Sequence, residues 1–152
     1  MIYTSSVSKF TPKNRTEIQQ LPGQLKVLKI IPVDSGSKVL SAERESIILG
    51  VNKNDQIFFR ISSNNNWIML PGLLNRVIAL HQADSNVETL KVLGLNKSND
   101  MYTAVFDIKG NMVKNWTQIF KGEDFSDIVD INGSINTGAI MQDKAGNMFV
   151  FK

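Results

Sequence analysis

One hairpin pattern, written three times, constrains this chain more than any other feature. Ile48-Leu49-Gly50-Val51-Asn52-Lys53-Asn54-Asp55-Gln56-Ile57-Phe58-Phe59 recurs as Val92-Leu93-Gly94-Leu95-Asn96-Lys97-Ser98-Asn99-Asp100-Met101-Tyr102-Thr103. A looser copy runs from Ala139 to Val150. Each copy is a short apolar run, a polar turn carrying Asn, Asp or Gly, and an apolar–aromatic run, the signature of a tight β-hairpin. The spacing is close to 47 residues, which signals a repeat architecture.

A second block recurs in the same order. Trp67-Ile68-Met69-Leu70-Pro71-Gly72 is followed by the apolar run Val77 to Leu80. An earlier copy is Ile18-Gln19-Gln20-Leu21-Pro22-Gly23, and a later one is Trp116-Thr117-Gln118-Ile119-Phe120-Lys121-Gly122, with one inserted residue. Gly23, Gly72 and Gly122 stand about 50 residues apart and supply turn dihedrals between strands. Each repeat therefore reads as four strands: a and b form the hairpin, c runs from the Trp to the Gly, and d is the Val/Ile-rich run after it. Four strands per 40–50 residues is the dimension of one propeller blade. The expected fold is all-β, a β-propeller with about three blades per chain in a single domain, 1–152. The repeats are approximately 1–40, 46–87 and 90–135, with a half-blade at 138–152. Composition alone permits a β-sandwich equally well; two blocks recurring in one order favour the propeller. Residues 76–86 offer the best helical pattern, but Val77 to Leu80 reads better as a strand.

The middle repeat, Leu49-Gly50-Val51-Asn52-Lys53-Asn54-Asp55-Gln56-Ile57-Phe58-Phe59-Arg60 with Trp67-Ile68-Met69-Leu70-Pro71-Gly72, resembles the tectonin repeat. The third repeat shares Gly94, Asn96, Asn99-Asp100, Tyr102, Trp116-Thr117-Gln118 and Gly122 with it. The first keeps Leu21-Pro22-Gly23 but has Ile18 where Trp is expected. The resemblance implies a propeller of about six blades and, from several relatives, binding of glycans such as lipopolysaccharide.

Ile2-Tyr3-Thr4 matches strand b, and so does Met148-Phe149-Val150. The chain thus begins and ends inside a blade, and open strand edges invite pairing. The expectation is a homo-oligomer, two copies forming a six-bladed ring. A neighbouring structural protein closing an incomplete propeller, or a three-repeat barrel-like arrangement, is the alternative.

Trp67 and Trp116 read first as packing between blades and second as platforms for the apolar face of a sugar ring. Asn54, Asp55, Asn99 and Asp100 read first as turn residues and second as partners for sugar hydroxyls. Arg60 is placed on a solvated surface within reach of an anionic group. The loops at 62–66, 11–15 and 107–111 are expected on one rim. His81, the single histidine, is expected at an edge or turn, and Glu43-Arg44-Glu45 as a solvated linker.

The chain has no cysteine, which removes disulfides, thiolate metal sites and cysteine catalysis. One histidine without cysteine makes no transition-metal site, no nucleophile elbow or P-loop is present, and no dense carboxylate cluster points to calcium. No catalytic residue, metal ligand or cofactor is assigned, and the chain is read as non-enzymatic. Its 17 Lys and Arg are scattered and the net charge of +3 is small, so no nucleic-acid footprint is seen. No apolar run reaches the roughly 18 residues of a membrane span, and no signal peptide opens the chain, so synthesis in the cytoplasm is expected. Two functions remain open: a lectin-like module gaining affinity by multivalency, or a structural bacteriophage virion protein (decoration, baseplate or tail/receptor-binding component) acting through protein–protein assembly. The composition, rich in Asn, Ile and Lys, fits the second.

Overall fold

The computed structural model describes residues 24–37, 40, 45–64, 66–84, 87–123 and 127–151. Eleven strands run through them, as the hairpin pattern requires. The first sheet has the order β1 (Val27–Ile31), β2 (Ile47–Val51), β3 (Gln56–Ile61), β4 (Ile68–Leu73). The second repeats it with β5 (Arg76–Asp84), β6 (Val87–Leu95), β7 (Met101–Asp107) and β8 (Met112–Phe120). A third holds β9 (Ile128–Ser134), β10 (Gly138–Asp143) and β11 (Met148–Phe151). All neighbours are antiparallel. The predicted segments Ile2-Tyr3-Thr4, Ile18 to Gly23 and 11–15 lie outside the described residues.

The sheet unit and the sequence repeat differ in phase by one strand. Strand d does not complete the sheet before it but starts the next, giving d-a-b-c. The cause is local. Gly72 turns the chain at φ +113°, the Leu74 N–H bonds the Asp55 carbonyl at 3.0 Å, and the Asn75 N–H bonds the Leu95 carbonyl at 2.7 Å. Within two residues the backbone has left one sheet and been captured by the next.

Burial patterns show how the sheets stack. In β5, five consecutive positions from Val77 to His81, with Arg76 before them half-buried, are shielded on both sides. A continuous buried run marks a strand covered on both faces. The second sheet is accordingly the middle layer, with β5 packed on both β1 and β9. The outer sheets alternate instead. Val27, Lys29 and Ile31 point inward while Leu28 and Ile30 are exposed; Phe149 and Phe151 point inward while Met148 and Val150 are exposed. Leu49, Ile57, Phe59, Leu70, Phe106 and Ile131 form the centre of the core.

Two expectations need correction here. His81 does lie on an edge strand of its sheet, but not at the strand's end or in a turn: β5 runs on to Asp84 in register with β6, and His81 is 1% exposed. Its Nδ1 accepts the Asp34 N–H at 2.9 Å. Arg60 is not a solvated side chain either. It is 4% exposed because its guanidinium lies over the Trp67 ring, 5.4 Å from the centroid, and donates to the Ser62 carbonyl at 3.2 Å. Glu45, the described end of the charged linker, accepts from the Ser63 hydroxyl at 2.7 Å and amide at 3.0 Å.

Candidate functional site

The a–b turns are built by one device used repeatedly. Asn52 Oδ1 accepts the N–H groups of Asn54 and Gln56, and Asn96 Oδ1 accepts those of Ser98 and Asp100. Asp107 and Asp143 do the same at the 107–111 and 143–147 turns. Asp55 and Asn99 sit at φ 63° and 62°, the left-handed conformation that Asn and Asp tolerate best.

These contacts decide most of the predicted polar site. Asn54 is exposed at a turn tip. Asp55 pairs with Lys26 and lies 3.6 Å from Lys97. Asp100 accepts the Gly122 N–H at 2.7 Å and the Asn96 amide at 3.2 Å. The Gly122 bond, then the Asn96 bond, hold its carboxyl below the usual carboxylate range. Asn99 donates its N–H to the Asn96 carbonyl at 3.0 Å. Turn formation and ion pairing engage these groups.

The tryptophans do something different. Trp116 reaches from β8 onto the first sheet, where its Nε1 donates to the Pro71 carbonyl at 2.9 Å. Its ring meets the edge of Phe106 at 6.0 Å between centroids. Gly72 is required beneath it, since a Cβ there would sit 2.9 Å from Nε1. The Trp and the Pro-Gly of successive sequence repeats are thus the two halves of one inter-sheet contact.

Beside each tryptophan lies a groove. Trp116, Tyr102, Asn96, Gly72, Leu73 and Leu74 enclose about 260 Å³. Trp67, Phe58, Asn52, Gln24 and Leu25 enclose about 180 Å³. The two sets occupy matching positions of the repeat. Leu25 packs over Gly50 as Leu74 packs over Gly94, and a Cβ on either glycine would collide with that leucine. Each groove therefore offers an indole, a second aromatic ring and a leucine floor. Tyr102 adds a hydroxyl that makes no hydrogen bond among the described residues.

Sequence reasoning missed Phe58, Tyr102, Leu25 and Leu74 as groove walls, although Phe58 and Tyr102 lie in the repeated hairpin and Leu25 and Leu74 each stand two residues past the recurring Gly. It also missed a larger cavity of about 490 Å³ where β1, β5 and β9 meet, lined by Lys26, Lys29, Arg76, Asp130 and Gln142 among others. The available signal was Lys29, a charge in the middle of Val27-Leu28-Lys29-Ile30-Ile31.

Fold and grooves together define an all-β repeat protein of stacked antiparallel sheets with an aromatic groove at equivalent positions of two repeats. No protein-family model matches the chain, and no curated protein matches it in sequence. No helix among the described residues is long and apolar enough to cross a membrane.

Proposed function

We propose that the chain is a non-enzymatic, propeller-type glycan-binding module that uses its inter-sheet grooves as repeated saccharide sites. The supporting observation is the equivalence of the Trp67–Phe58 and Trp116–Tyr102 grooves. Aromatic walls suit the C–H face of a pyranose, and a groove of this size takes one sugar ring. Weak sites in parallel gain strength on a surface that displays many copies of the ligand. This reading moves recognition from the Asn/Asp turn tips to the aromatic pairs. A glycan array probed with the wild type, Phe58→Ala and Tyr102→Ala tests it. Binding by the wild type that falls with each folded variant supports the reading. No glycan bound by the wild type at millimolar ligand overturns it.

Assembly as a virion component is favoured by a separate observation. Leu28 and Ile30 on one outer sheet and Met148 and Val150 on the other are 56–72% exposed, on the faces that have no sheet against them among the described residues. Such faces are where further sheets would stack. A planar six-bladed ring of two copies faces one geometric condition. Lys29 Nζ reaches Asp130 at 3.0 Å, which limits the two Cα atoms to about 13 Å by side-chain length. With sheets about 10 Å apart, the first and third inner strands of a hexagonal ring lie about 17 Å apart. Closure by two copies requires that bond to open; a tighter ring keeps it. Sedimentation of the purified chain with Lys29→Ala alongside distinguishes these. A wild-type monomer that also stays monomeric as Lys29→Ala overturns the two-copy ring.

A further inference from the structure

The cavity at the meeting of β1, β5 and β9 is lined differently from the grooves. Three cationic side chains line it, from two stretches of chain: Lys26 and Lys29 at β1, and Arg76 at the start of β5. Their partners are unequal. Lys29 Nζ donates to Asp130 at 3.0 Å and to Asn132 at 2.8 Å. Lys26 Nζ donates to Asn75 at 2.9 Å and pairs with Asp55, which Lys97 also approaches. The Arg76 side chain has no ion pair or hydrogen bond among the described residues, and its Nε is buried without an acceptor. Three cations thus line the cavity with one carboxylate, Asp130, while Asp55, the partner of Lys26, lies outside the lining.

An orphaned guanidinium donor is costly, because a buried N–H without an acceptor loses its hydration and gains nothing. The two Nη groups of the same guanidinium are not buried, and a planar oxoanion can accept parallel N–H bonds from them. The cavity has room for such a group with part of the molecule carrying it.

We propose that this cavity binds a small oxoanion, a carboxylate or a phosphate monoester, on the guanidinium of Arg76, with Lys26 and Lys29 supplying charge and Gln142 an amide. Being built from other residues than the aromatic grooves, this site stands or falls without them.

The test titrates the folded chain at low salt with three probes: sodium glucuronate, glucose 6-phosphate and glucose. Binding is followed by calorimetry and by the Arg76 Nε–H resonance. One or both charged probes should bind and move that resonance, while glucose should not. The tighter of the two assigns the anion. Arg76→Gln should weaken binding about tenfold or more, whereas Lys53→Gln, an exposed charge at a turn, should leave it within about twofold. Because the resonance belongs to the wild type, the result holds even if Arg76→Gln fails to fold. Three results overturn the proposal: neither charged probe binding, an Arg76 Nε–H signal that stays still during binding, or equal weakening by Lys53→Gln.

Discussion

Replacing Trp116 tests whether the tryptophans hold the sheets together. Three contributions disappear in Trp116→Ala. The bond from Nε1 to the Pro71 carbonyl contributes about 1 kcal/mol. The edge contact with Phe106 adds about 0.5–1.5 kcal/mol. The ring is half-buried, so about 100 Å² of apolar surface returns to water, about 2.5 kcal/mol before allowance for the compactness of the unfolded chain. The expected loss is about 3–5 kcal/mol, or a fall in Tm of roughly 6–20 °C for a chain of this size. Trp116→Phe keeps most of the packing and loses chiefly the bond, so it should cost about 1 kcal/mol. Urea denaturation followed by circular dichroism reads both. An alanine variant within about 0.5 kcal/mol of wild type, or a phenylalanine variant as damaged as alanine, would refute the inter-sheet role.

Other perturbations separate the remaining parts of the structure. Gly122→Ala places a Cβ onto the Ser98 carbonyl oxygen, a backbone atom that cannot step aside; a loss of about 2 kcal/mol or more in denaturant is expected. Phe59→Ala, at the fully buried centre of the core, should cost about 3–5 kcal/mol in the same assay. His81 provides a pH signature. Burial, against the pull of the Glu88 and Asp34 carboxylates, holds its imidazole below the usual 6.5. The folded state then binds fewer protons than the unfolded one just below that value, so stability is present above about pH 6.5 and is lost as the pH falls. Asp34, Asp100 and Asp130 lie below the usual carboxylate range and stay ionised there. The urea midpoint should drop between pH 7.5 and 5.5 in the wild type and change less in His81→Asn; an equal drop in both would contradict the assignment.

What the sequence made legible was local. The Asn52 and Asn96 turns, the strands flanking them and the Trp and Pro-Gly markers all follow from short-range rules of periodicity and turn chemistry. Partnership between sheets was harder to read. Gly72 marks the end of a strand in the sequence, but only the fold shows that the Trp116 ring is the reason a side chain is excluded there. The phase of the sheets was hidden for a similar reason, because d follows c so closely that chain order conceals their separation. Arg60 looked solvated, since nothing in Phe58-Phe59-Arg60 tells that Trp67 folds back over it. The cavity charges are the extreme case: Lys29, Arg76 and Asp130 are distant in the chain and follow no spacing rule, so only the convergence of β1, β5 and β9 reveals them.

The most direct measurement is an NMR titration of the isotope-labelled chain with the best glycan from the array. Paired changes should appear at the Trp67 and Trp116 indoles and at the amides of Asn52, Phe58, Asn96 and Tyr102, saturating together. Changes confined to the 53–55 and 97–100 turn tips, or none at either indole while ligand binds, would contradict recognition by the repeated grooves.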